Sequence, residues 1–523
     1  MQSRSGILLA GFNLLIFCLT FDLVHAATRD EWRSRSIYQL VTDRFARTDG
    51  STDYPCNTTA RLHCGGTYQG IINQLDYIQG MGFTAVWISP VVKNIEEMTE
   101  YGEAYHGYWP ADINEVNPLF GTPDDLKSLS NELHKRNMFL MVDVVVNHMA
   151  IAGPGEKANF SGLSPFNKAE YYHPYCVITD YLHNKTIYQN CWMGDDIVAL
   201  ADLDTENEFV ISTWQTWITN LVADYSIDGL RIDAAKHVDQ EFWPKFQSAA
   251  GVFTLGEILD PEAPSACEWS FGGGLDSILN YPSYYNITQI FQNSSTNLGA
   301  FEDKFKAVAV DCYDSSIIGT FTENHDTPRF AAITDDLSRQ MSALTYSFLS
   351  DGIPIVYYGA EQRFNGAADP DNREALWLAE GGYNTEAPLY KLVKKLNKIH
   401  TVMSDLTESK NHFDWSPYWA YRSKTVFVKE DVLVFRKGHG ASILGALTNI
   451  GVGDIDVGPY NVTDSNFVTG NTIVEILGCQ SQKVGHGGSF NITLVNGEPQ
   501  IWVPEKLIDP SEFCEGSIKK INQ

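Results

Sequence analysis

Between residues 36 and 358, short apolar runs rich in β-branched residues alternate with amphipathic stretches. The runs are Ser36–Val41, Ala85–Ser89, Phe139–Val146, Gly229–Asp233, Phe253–Glu257, Ile317–Thr322 and Ile353–Tyr358, with a faint one near Leu275–Asn280. Runs with no polar alternation predict strands covered on both faces. The stretches between them, such as Thr122–Arg136, Glu206–Tyr225 and Ser338–Leu349, carry apolar residues at helical spacing. Thr122 followed by Asp125 reads as a helix cap. Strand and helix in strict alternation imply parallel βαβ units. About eight such units favour a closed (β/α)8 TIM barrel over an open sheet.

Two regions break the rhythm. Met149–Asp204 is rich in Gly, Pro, Asn and Tyr and carries two cysteines. It is too long for a structureless loop in a compact domain, so a small subdomain inserted after the third strand is expected over 149–204. Beyond Ser409 helical periodicity stops and short alternating runs follow, such as Val432–Arg436, Ser442–Leu447 and Gln500–Val503. They predict a C-terminal antiparallel β-sandwich domain over 409–523. The barrel itself then spans 27–148 and 205–408.

Arg4, the apolar run Ile7–Leu19 and the small-residue end Val24-His25-Ala26 have the form of an export signal cut after Ala26. The run is short for a bilayer span and Asp22 interrupts it, so no membrane anchor is expected. Of nine cysteines, Cys18 falls within the signal. The remainder, Cys56, Cys64, Cys176, Cys191, Cys267, Cys312, Cys479 and Cys514, form an even set suited to disulfides in an exported chain. Sequence alone leaves many pairings open, and nearest-neighbour pairing is the simplest. Glycosylation sequons at Asn57, Asn159, Asn184, Asn286, Asn293, Asn461 and Asn491 point to a eukaryotic secretory pathway and an extracellular or cell-wall location. Lys+Arg number 37 against Asp+Glu 65, a formal net charge of -28. That excess repels phosphates and argues against nucleic acid or an anionic membrane as partner. A soluble, neutral substrate suits it, and a monomer is the default.

Four segments place charged residues at the C-terminal ends of apolar strands. They are Asp143-Val-Val-Val-Asn147-His148, Gly229-Leu-Arg231-Ile-Asp233-Ala-Ala-Lys236-His237, Gly256-Glu257 and Phe321-Thr-Glu323-Asn-His325-Asp326. In a barrel these ends face the mouth where active sites form. One such residue alone is more simply a turn cap or a local ion pair. Four together are not, because buried charge is costly unless paired or used.

In this order the blocks DVVVNH, GLRIDAAKH, GEILD and FTENHD resemble the signature regions of the alpha-amylase family of glycoside hydrolases, nearest to its secreted fungal members. The resemblance runs from about Arg29 to Cys514. It implies Asp233 as nucleophile, Glu257 as general acid/base and Asp326 as the carboxylate that steadies a distorted sugar. A retaining pair sits ~5 Å apart. The acid must keep its proton while the nucleophile stays ionised, so their surroundings must differ. Arg231, two residues before Asp233 on the same strand face, is expected to hold Asp233 ionised. The resemblance further implies His148 and His325 on the sugar at the cut, and Tyr108 and Trp109 as a stacking platform. Asp369 and Arg373 would clamp a more distant sugar, and Lys236 and His237 would line the leaving-group side. It also implies one structural Ca2+ held by the side chains of Asn147 and Asp202 and the carbonyls of Gln189 and His237. Arg61, where fungal relatives often carry Gln, and Pro261, where Gly is common, depart from the pattern and bear on whether water or sugar accepts the glycosyl group. The expected substrate is an α-glucan polysaccharide or oligosaccharide, hydrolysed endo at α-1,4 bonds. A transglycosylase that remodels cell-wall α-glucan, or a non-catalytic glucan-binding homologue, remain alternatives.

Overall fold

The computed structural model describes residues 27–409, 416–439, 442–453, 456–516 and 518–521. The expected export signal, 1–26, lies outside the described residues.

Strands β1 (Ile37–Leu40), β2 (Ala85–Ile88), β3 (Phe139–Val145), β4 (Gly229–Asp233), β5 (Phe253–Gly256), β6 (Ser277–Ile278), β7 (Gly319–Phe321) and β8 (Ile353–Tyr357) form one 8-stranded parallel sheet, ordered β6-β5-β4-β3-β2-β1-β8-β7. A parallel bridge between Leu279 and Gly319 joins its two ends, so the sheet closes into the expected barrel. Every position of β1, β2, β5 and β8 is buried, which accounts for their unbroken apolar runs. β6 is faint in sequence because its regular part is short. Asn280 still donates its N–H to the Gly319 carbonyl at 2.8 Å, while its side chain caps the helix Tyr281–Phe291 by accepting from the Ser283 N–H.

The covering helices begin where side chains cap them. Thr122 and Asp125 form a reciprocal capping box on Pro123–Lys135, which buries Leu126, Leu129 and Leu133. Asn207 accepts from the Phe209 N–H, so the next helix starts at Glu208 rather than Glu206.

The inserted segment is organised around an antiparallel sheet of His148–Ala152, Val198–Asp202 and Met193–Gly194. Its register sets His148 opposite Asp202, at the junction with the barrel. At the C-terminus, strands between Lys424 and Lys520 make a 7-stranded sheet, and Val457–Val462 pairs with Phe490–Leu494 beside it. The larger sheet is antiparallel except at its edge, where Lys519 pairs in parallel with Gln480. Its side chains alternate between two cores. Val434, Leu444 and Trp502 pack with Val462, Phe490 and Ile492 of the smaller ribbon. Leu433, Phe435 and Ile443 join the barrel core with Leu349. The eight remaining cysteines pair as nearest neighbours: Cys56–Cys64, Cys176–Cys191, Cys267–Cys312 and Cys479–Cys514.

Candidate active site

The barrel mouth is organised by one buried cation. Arg231, on β4, has no exposed surface. Parallel register sets it beside Asp143 of β3, and the two-residue pleat sets it on the face of Asp233. Its Nη1 donates to Asp143 Oδ1 at 3.0 Å and to Asp233 Oδ1 at 2.8 Å, while Nη2 forms an ion pair with Glu257 Oε2 at 2.9 Å. Glu257 follows β5 directly. Its Oε2 accepts from the Ala234 N–H at 2.9 Å and its Oε1 from the Tyr281 hydroxyl at 3.3 Å. Asp233 and Glu257 therefore share one guanidinium. Their side chains are 13% and 12% exposed, that of Asp326 36%. Asp326 is gripped by His325 Nε2 at 3.0 Å and Arg373 Nη2 at 3.3 Å.

The electrostatics correct one expectation. Burial pushes Asp233 well above the ordinary carboxylate range; Arg231 opposes this, and the charges of Glu257 and Asp143 add to the rise. Arg231 does not hold Asp233 ionised unaided, because it is shared among three carboxylates. Asp326 goes the other way. Burial raises it, but His325, Arg373 and Arg231 together outweigh that and hold it below the usual range.

The other predicted residues gather around this centre. Tyr108 donates to Asp143 Oδ2 at 2.8 Å, and its ring lies parallel to that of His325 at 5.0 Å. His325 Nδ1 is held by Gln39 at 2.9 Å. His148 Nε2 lies 3.2 Å from the Tyr108 carbonyl oxygen, and burial lowers its pKa to about 4, so the ring is neutral. Trp109 is anchored by its N–H to Asn94 Oδ1 at 2.7 Å. Arg373 pairs with Asp369 at 3.0 Å. Across the mouth, Lys236 pairs with Asp260 at 3.1 Å, and His237 Nδ1 lies 2.8 Å from the Tyr188 carbonyl oxygen of the inserted segment. Glu323, in the same block as Asp326, is buried against Arg329 and the Phe330 N–H and serves the fold.

Sequence reasoning named no role for Asp143, Tyr281 or Asp260. Asp143 opens the DVVVNH block, and its charge within an apolar strand was the available signal. Tyr281 follows the faint strand and gave none.

The predicted calcium ligands meet a test of fit. The Asn147 side-chain amide lies 3.2 Å from Asp202 Oδ1 and 3.3 Å from the main-chain oxygen of His237. With its oxygen inward, three oxygens converge, which is the donor set a hard cation takes. Burial pushes Asp202 up to about 7 although His173 pairs with it at 2.7 Å, so its ionised form gains from further positive charge. The Gln189 side chain donates to the Val238 carbonyl at 2.8 Å, next to His237. The Asn147, Asp202 and His237 oxygens fit a calcium ion.

A pair of carboxylates at the ends of adjacent strands in a parallel barrel mouth is the equipment a glycosidase uses. The chain matches the alpha amylase, catalytic domain family over residues 39–431 and the alpha-amylase, domain C family over 425–522. It belongs to the alpha-amylase family of glycoside hydrolases. It is 46% identical to alpha-amylase 2 of Schwanniomyces occidentalis, over 92% of each chain, and 42% identical to an alpha-amylase of Saccharomycopsis fibuligera, over 98% of this chain and all of that one. The solved alpha-amylase of Malbranchea cinnamomea superposes with a TM-score of 0.88 at 42% identity, covering 94% of this chain and all of the other.

Proposed function

We propose that the protein is a secreted, retaining, endo-acting alpha-amylase that hydrolyses α-1,4 bonds of starch- or glycogen-like chains. The observation that carries this is one buried guanidinium shared by Asp233 and Glu257, with Asp326 beside them on its own cations. In this reading Asp233 attacks the anomeric carbon as Glu257 protonates the departing glycosidic oxygen, giving a covalent glycosyl-enzyme. Glu257, now a carboxylate, takes a proton from water as water attacks the same carbon and frees Asp233. Asp326 accepts hydroxyl hydrogen bonds from the distorted sugar, with neutral His148 and with His325 beside it.

Calcium supplies no proton or electron here. Its oxygens would come from Asn147, Gln189, Asp202 and His237, and it would tie the inserted segment, 149–204, to the barrel of 27–148 and 205–408. The apolar run Ile7–Leu19, the sequons and the disulfides support work outside the cell. Among the described residues no helix is long and apolar enough to cross a membrane.

The test is incubation with a defined maltooligosaccharide and sizing of the products. Shortened products whose new reducing ends keep the α configuration are expected, and Glu257→Gln should lower turnover by ~10²–10⁴-fold. Products longer than the substrate would instead mark sugar as the acceptor. Undiminished turnover in Glu257→Gln would refute the assignment of that residue.

A further inference from the structure

Arg61 lies in the loop after β1 with a left-handed backbone, φ 52°, rare for a residue with a side chain. The surroundings lock it there. The Cys56–Cys64 disulfide closes its loop. Buried Asp43 accepts from the N–H groups of Cys64 and Gly65, at 2.9 Å each, and Arg44 donates to the Leu62 carbonyl at 2.8 Å. The Arg61 carbonyl accepts from the Glu103 N–H at 2.9 Å, and a Cβ at Gly102 would collide with that carbonyl.

So held, the guanidinium reaches in two directions. Nη2 pairs with Asp369 Oδ2 at 3.0 Å, the other oxygen of Asp369 being taken by Arg373. Its carbon lies 5.6 Å from the centre of the Tyr101 ring, and the Tyr101 hydroxyl donates to Asp195 Oδ2 at 2.6 Å in the inserted segment. Ion pairs, one cation–ring contact and a hydrogen bond thus follow one another along this side of the rim. They pass from Asp326 after β7 through Arg373 and Asp369 after β8, Arg61 after β1 and Tyr101 after β2 to Asp195 after β3. In a ring of eight strands, β8 and β1 stand across from β4 and β5, where Lys236 and Asp260 lie.

We propose that Arg61 is a specificity-determining residue that walls off the far end of the donor side and so limits how many sugars lie beyond the cut. The proposal rests on the amylase reading, in which Lys236 and His237 take the leaving-group side. Asp369 and Arg373 hold the last sugar that fits, and a chain that runs past them has to displace Arg61 from Asp369 and from Tyr101.

The test compares cleavage positions along a reducing-end-labelled maltooligosaccharide for the wild-type enzyme, Arg61→Gln and Tyr101→Phe, with melting curves to confirm folding. Tyr101→Phe removes only the hydroxyl that reaches Asp195. In both variants the ratio of long-donor to short-donor cuts is expected to rise, by up to about fivefold for Arg61→Gln, the upper size of one partly exposed ion pair. Arg61→Lys should restore part of the wild-type pattern. Folded variants that cut in the wild-type pattern, or that lose kcat/KM equally at every position, would overturn the proposal. A wild-type enzyme that cuts no α-glucan would count against the amylase reading instead.

Discussion

With no surface exposed, the Arg231 guanidinium requires compensating charge, and three carboxylates provide it. The arrangement makes Asp143 a tuning residue that need not touch sugar. Asp233 has to be ionised to attack, and its proton is held more tightly in part because Asp143 is charged. As pH falls through that raised value, activity is lost. Asp143→Asn removes the repulsion and frees Arg231 to favour ionised Asp233. The acid limb of kcat/KM should therefore move to lower pH, whatever happens to kcat. A pH profile with that limb unmoved, or moved upward, would show that Asp143 does not tune Asp233.

At the scale of elements, the junction between β3 and the inserted sheet brings oxygen acceptors together. Asn147 follows β3, Asp202 ends the strand opposite His148, and the His237 carbonyl follows β4. An ion among them would bind the folded chain and not the unfolded one. At about a hundred times its dissociation constant, calcium would stabilise the fold by ~2.7 kcal/mol, worth several degrees of Tm. Chelation should lower both Tm and activity, and readdition of calcium should restore them. Asp202→Asn should abolish that response. A melting curve indifferent to chelator would refute the calcium reading.

At the scale of the whole molecule, the C-terminal sheet is an extension of the barrel core. Phe435 packs on Tyr346, ring centres 5.6 Å apart, and shares a core with Leu349. Buried Lys437 donates to the Ser350 carbonyl at 2.7 Å at the same boundary. Calorimetry should show the two regions melting in one transition. Phe435→Ala should cost ~3–5 kcal/mol and lower that single transition. A C-terminal transition that separates and moves alone would show that the sheet folds independently of the barrel.

The barrel, the inserted segment and the carboxylates at the strand ends were legible along the chain. Each is a local pattern: a strand buried on both faces writes an apolar run, and a pleat of two residues puts Arg231 and Asp233 on one face. The faint β6 escaped because Asn280 turns to cap a helix after two regular residues. The contacts that set charge were not legible. Asp143 meets Arg231 from 88 positions away, and that is decided by strand register. Arg61 meets Asp369 only because closing the barrel brings the loops after β1 and β8 together. The same holds for the ionisation of Asp233. Its neighbour Arg231 is visible in the sequence, but its burial and the carboxylates that compete for that guanidinium exist only once the strands are side by side.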